Sequence, residues 1–126
     1  MKTVQFLFAV LLACGTVVAH ALDVKPYTAT ALAQAQKTGQ PIALHFHADW
    51  CPTCRAQAQV LQRLQVEPGL NLTVLVANYD SEKELKRQFK VRAQSTLIVL
   101  KGQTETMRLV GDTSDVTIRN ALKTAL

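Results

Sequence analysis

Apolar runs punctuated by glycine, proline and capping residues divide the chain into segments. Residues 28–39 (TATALAQAQKTG) are alanine-rich and predict a helix, with Thr28 as its cap and Gly39 and Pro41 stopping it. Residues 41–48 (PIALHFHA) alternate poorly but are β-prone around Ile42, Leu44 and Phe46. A short run that is apolar on both faces predicts a buried central strand. From Pro52 to about Val66 the period becomes helical. Ala56, Val60, Leu61 and Leu64 fall on one face, and Pro52 suits the first helical position. Pro68 and Gly69 break that helix.

Residues 70–79 (LNLTVLVANY) predict the next strand. Ser81 followed three residues later by Glu84 has the form of a capping box, and Leu85 and Phe89 supply that helix with an apolar stripe. Residues 95–102 and 104–111 predict two strands joined at Gly102 as a hairpin. Ser114 opens the last helix, whose buried face is Ile118, Ala121, Leu122 and Ala125. The order is helix, strand, helix, strand, helix, strand, strand, helix. Strands separated by helices pair in parallel and a hairpin pairs antiparallel. The expectation is an α/β fold with a mixed central sheet flanked by helices on both faces.

The first residues fall outside that pattern. Lys2, then the apolar run VQFLFAVLLACGTVVA, then Ala19-His20-Ala21 follow the order of a secretory signal. The expectation is a signal peptide over residues 1–21, cleaved after Ala21, a domain over residues 22–126, and a periplasmic or secreted location. The run is too short and wrongly flanked for a transmembrane span. LLAC also resembles a bacterial lipobox, and a lipid on Cys14 is the one route to a membrane that the sequence offers. At 126 residues, 48% hydrophobic and 18% charged, the chain suits one globular domain. Its formal charge of +5 is spread over stretches such as KELKRQFKVR, with no aromatic-interleaved basic patch. These are solvated faces and not a nucleic-acid footprint.

Cleavage removes Cys14 and His20 and leaves Cys51, Cys54, His45 and His47 in one stretch, HFHADWCPTCRAQ. An exported protein meets an oxidising compartment, where thiols three positions apart do not stay idle. Three chemistries compete. As a redox pair, Cys51 sits between a strand end and a helix start, where unpaired N–H groups and the helix dipole favour a thiolate. Cys54 is about one turn on, within reach to resolve what Cys51 captures. As metal ligands, His45, His47, Cys51 and Cys54 make a His-x-His-x3-Cys-x2-Cys set that matches no common zinc-finger spacing. As a staple, so small a loop contributes on the order of 2 kcal/mol, which a domain with this core does not need.

The chain resembles thioredoxin-fold proteins over nearly all of residues 22–126. WCPTC stands where thioredoxins carry WCxxC, and LTVLVANYD, VRAQSTLIVLKG and LVGDTS resemble the later segments of that fold. The resemblance implies a thiol–disulfide oxidoreductase with Cys51 as nucleophile and Cys54 as resolver, flanked by Trp50, Pro52 and Thr53. It implies protein disulfide or dithiol partners, an upstream electron donor, the reducing direction, and no cofactor. A copper or zinc binding or delivery protein, and a non-catalytic binding module, are the competing readings.

Three departures from the family pattern stand out. Ser95 occupies the place of the usual cis-proline, and a cis bond before a non-proline residue costs roughly 2.5–4 kcal/mol, so Gln94–Ser95 is expected to be trans. Its loop is expected to flank Cys51. His45 replaces a buried acid six residues before the first cysteine, and Val76 replaces the lysine facing it. A neutral His45 could take the proton of Cys54, or serve as a core histidine with satisfied hydrogen bonds. His47 replaces an aromatic and shares a strand face with His45. Asp49 and Arg55 are expected at the surface, and Trp50 as a platform beside the cysteines.

Overall fold

The structure, a computed structural model, describes residues 21–126. The leader features named above (Lys2, Cys14, His20) lie outside the described residues. The elements are β1 (Asp23–Pro26), α1 (Ala29–Thr38), β2 (Pro41–His47), α2 (Pro52–Leu64), β3 (Thr73–Asn78), α3 (Lys83–Gln88), β4 (Thr96–Lys101), β5 (Thr104–Val110) and α4 (Asp115–Lys123). The sheet order is β1-β3-β2-β4-β5. β1, β3 and β2 are parallel, and β4 and β5 run antiparallel to their neighbours.

Central β2 is buried from Ile42 to Phe46, as its apolar run predicts. Successive side chains leave opposite faces. Ile42, Leu44 and Phe46 join Leu32 and Ala35 of α1 and Leu85 of α3 in one core. Ala43 joins Val60, Leu61 and Leu64 of α2 and Ile118 and Leu122 of α4 in the other. His45 alternates with them and shares the Ala43 face, beneath α2.

Local chemistry sets most element ends. Thr28 caps α1, its Oγ1 accepting from Ala31 N at 3.1 Å, and Gly39 closes it with φ 70°. Ser114 caps α4, its Oγ accepting from Thr117 N. Three details differ from the sequence reading. β1 was not foreseen: DVKP is four residues with only Val24 half-buried, too short and polar to show a period, and it exists because β3 pairs with it. Short, charged edge strands of this kind also resist edge-to-edge association. α2 ends at Leu64, leaving Val66 exposed, and Gln57 rather than Ala56 lies fully on its buried face. The Ser81–Glu84 capping box does not form. Asn78 Oδ1 instead accepts from the amides of Asp80 and Ser81 at 2.9 and 3.1 Å, and α3 starts at Lys83 without a side-chain cap.

Candidate active site

The chain leaves β2 at His47 and turns tightly, with Cys51 N–H donating to Ala48 O at 3.1 Å. Cys51 is the N-cap of α2, in extended backbone (φ −92°, ψ 113°), and Pro52 follows in the first turn with no N–H to satisfy. The Cys51 Sγ accepts from Cys54 N–H at 3.1 Å. A sulfur thus fills the role an oxygen usually plays at a helix start, where orphan amides and the dipole favour negative charge.

Cys51 and Cys54 are both free thiols and both buried. Ser95, 44 and 41 residues away in sequence, places its Oγ 3.2 Å from Cys51 Sγ and 3.1 Å from Cys54 Sγ. Burial opposes ionisation of Cys51, yet hydrogen bonds from the Cys54 thiol, the Ser95 hydroxyl and the amides of Cys54 and Thr53 outweigh it and lower its pKa. Burial, reinforced by the hydrogen bond to Cys51, raises that of Cys54. The pair is therefore asymmetric: one sulfur is poised to be a thiolate and the other to keep its proton.

No cis peptide bond occurs among the described residues, so Gln94–Ser95 is trans, as expected. Ser95 has φ 62°, a left-handed conformation that costs a non-glycine residue about 1–2 kcal/mol. Three hydrogen bonds hold it there. Its N–H donates to Phe46 O at 3.0 Å, and its carbonyl accepts from Gly111 N at 2.9 Å and Gln57 Nε2 at 3.0 Å.

Gln57 was not foreseen. Its Nε2 also donates to Asp112 O at 2.9 Å, so both amide hydrogens go to carbonyls and Oε1 is left as the acceptor. His45 Nε2, 3.0 Å from that Oε1, is then the donor, which leaves Nδ1 unprotonated, buried and without a partner. Burial pulls the His45 pKa down to about 4, against the hydrogen bond to Gln57, so the imidazole is neutral at ordinary pH. This corrects two expectations. His45 does not contact Cys54 as a base poised on it would: no hydrogen bond joins them among the described residues, and Cys54 Sγ meets Ser95 Oγ and Phe46 O instead. Nor is it a fully satisfied core histidine. Val76 is its partner in the β2–β3 register.

The remaining residues form the rim. Trp50 is 59% exposed, and its Nε1 donates to Asp80 Oδ2 at 2.9 Å, which ties the ring to the segment after β3. Pro52 is exposed and Thr53 half-buried. His47 bonds exposed Asp49 through Nε2 at 3.0 Å, and Arg55 donates to Asp49 O at 2.7 Å. The four-ligand metal set does not assemble: among the described residues no three His, Cys, Asp or Glu side chains converge on a common point. His45 and His47 are turned to Gln57 and Asp49 instead, their ring centres 5.4 Å apart.

A strand–turn–helix carrying CxxC at the carboxyl end of a mixed sheet matches a known family. A sequence model of the family described as Thioredoxin matches residues 23–124. The chain belongs to the thioredoxin family. It is similar to the thioredoxin of Mycobacterium tuberculosis, 34% identical over 74 residues, which is 59% of this chain and 64% of that protein. It is 31% identical over 83 residues to a bifunctional thioredoxin reductase/thioredoxin of Mycobacterium leprae, spanning 66% of this chain and 18% of that one. The chain thus spans less than two thirds of the length of either relative. Among solved structures, Trxlp from Edwardsiella tarda superposes with a TM-score of 0.74 at 37% identity, over 79% of this chain and 98% of that one. The thioredoxin fold accounts for the sheet order and for the place of the cysteine pair.

Proposed function

We propose that this protein is an exported thiol–disulfide oxidoreductase that reduces disulfides in protein partners through Cys51 and Cys54. The asymmetry of the two sulfurs carries the reading: Cys51 has the hydrogen bonds that stabilise a thiolate, and Cys54 lies buried one turn behind it with its proton held. Cys51 attacks a partner disulfide, and the partner's second sulfur leaves as a thiolate. Cys54 gives up its proton, attacks Cys51 Sγ and expels the partner's first sulfur. The cysteine pair ends oxidised and the partner reduced by two electrons. Trp50 and the Ser95 loop frame the approach to Cys51. Family membership favours the reducing direction, which calls for an electron donor that regenerates the dithiol. The charge, apolar run and A-x-A order of residues 1–21 support export to the periplasm or beyond.

The test is capture in the native compartment. Cys54→Ser should accumulate mixed disulfides with partner proteins, and Cys51→Ser should accumulate none. Mass measurement of the protein from the cell envelope or medium should give a chain that begins at Leu22. A Cys54→Ser variant that traps nothing, with a parent that leaves insulin disulfides intact, would refute the activity. A full-length chain retained in the cytoplasm would refute the export.

A further inference from the structure

The Ser95 hydroxyl has one proton and two sulfur neighbours, at 3.2 and 3.1 Å. Among the described residues it is the one side-chain oxygen within hydrogen-bonding distance of either sulfur. Its position is built rather than incidental, since three hydrogen bonds to its backbone, two from main chain and one from the Gln57 side chain, fix a left-handed serine that is 3% exposed. From this geometry we infer that Ser95 is a catalytic residue whose O–H donates to Cys51 while that sulfur is the thiolate and turns to Cys54 once Cys51 is captured in the mixed disulfide. The inference rests on the exchange reaction proposed above and adds a third participant to it.

The exchange fixes when the hydroxyl turns. In the reduced protein the Cys54 S–H and the Ser95 O–H both donate to the Cys51 thiolate, so two hydrogen bonds from side chains hold the single negative charge. Attack forms the bond from Cys51 Sγ to the partner's first sulfur and breaks the partner's disulfide, and the electron pair leaves on the second sulfur. A disulfide sulfur is a poor acceptor compared with a thiolate, so the hydroxyl loses its partner. Rotation about the Ser95 Cβ–Oγ bond brings the proton to Cys54 Sγ without backbone movement. The Cys54 proton passes to the departing partner thiolate. The new Cys54 thiolate, now accepting from Ser95, attacks Cys51 Sγ and releases the partner's first sulfur as a thiolate. Charge and electrons balance with the partner disulfide as the sole oxidant. The hydroxyl follows the negative charge from one sulfur to the other, which a proline at this place could not do.

Ser95→Gly and Ser95→Ala test this together. Both lack the hydroxyl; glycine accepts φ 62° without strain, and alanine bears the same strain as serine. The reduced proteins are mixed with dithiobis-nitrobenzoate, which releases one thionitrobenzoate when Cys51 attacks and a second when Cys54 resolves. Thiolate absorbance in the ultraviolet is titrated in parallel. Loss of a hydrogen bond to a charged group corresponds to roughly a 10- to 100-fold change in a rate or equilibrium constant. Both variants should slow the second release by about that factor and move the Cys51 titration to higher pH. Parental second-phase rates and an unmoved titration in Ser95→Gly would overturn the role of Ser95, while two releases by the parent would leave the exchange reaction standing. A defect in Ser95→Ala alone would place the effect in the backbone and equally overturn it. A parent that releases no thionitrobenzoate would remove the exchange reaction itself, and this role with it.

Discussion

Buried His45 makes the stability of this protein depend on pH in a calculable way. Burial lowers its pKa from the ordinary 6.5 to about 4 in the folded chain. Between those values the unfolded chain binds a proton that the folded chain refuses, so stability rises with pH across that window and falls on acidification. At about 1.36 kcal/mol per pH unit the full effect is about 3 kcal/mol, of which about 2 kcal/mol is already lost by pH 5. Domains of this size have roughly 5–15 kcal/mol in hand, so this one side chain accounts for a large share of the acid sensitivity. His45→Gln removes the titration and keeps an N–H to donate to Gln57. Urea unfolding of the reduced parent and of His45→Gln, from pH 7 down to pH 4, isolates the term, because every other titrating group is common to both. That includes the carboxylates held low by Arg63, Arg119 and Arg108. The parent should lose about 3 kcal/mol more than the variant over the range. Parallel curves would show that His45 is protonated in the folded protein, and the neutral assignment drawn from Gln57 would be wrong.

Other consequences can be measured in the same preparations. Gln57→Leu strips a donor from Ser95 O and Asp112 O and an acceptor from His45, and should cost about 3 kcal/mol in urea unfolding. A cost under about 1 kcal/mol would mean that water replaces the amide. Iodoacetamide should alkylate Cys51 with a pH profile that levels off below the ordinary thiol value of 9.0, and leave Cys54 unmodified at the same pH. Equal reaction at both sulfurs would contradict the asymmetry. Gly102→Ala puts a side chain at φ 59°, 3.3 Å from the Gly39 Cα, and should cost about 1–2 kcal/mol, seen as a lower Tm at unchanged exchange activity.

What could be read from the sequence was local. Cys51, Pro52 and Cys54 belong to one helical turn, and spacing alone places both sulfurs at its start. Thr28 and Ser114 announce their helices because a cap bonds within three residues. The same rule failed at Ser81, where Asn78 competed for the amides from the strand side and delayed α3. β1 was invisible because its cause lies in β3, about 50 residues on, and not in DVKP. Gln57 could have been found: it falls between Cys54 and Leu61 on the helical stripe, but polarity made it look solvated. The hydroxyl between the sulfurs could not. It depends on the chain returning to Phe46 O after more than 40 residues, and no periodicity encodes that.

Two of the three departures from the family pattern, at His45 and at Ser95, are linked, and electrostatics explains the link. An acid–lysine pair beneath the cysteines buries two charges, each of which must recover a large desolvation cost from its partner. Here a neutral His45 and Val76 occupy those places, and neither carries a charge. The neutral imidazole needs only an acceptor, and Gln57 provides it while its own two hydrogens tie down the Ser95 and Asp112 carbonyls. That same amide keeps serine in a conformation serine does not favour, with its hydroxyl between the sulfurs. On the role inferred for Ser95, replacing the buried acid moves proton management from beneath the helix to the loop beside it. Gln57→Leu should therefore shift the Cys51 titration in the same direction as Ser95→Gly, although Gln57 touches neither sulfur.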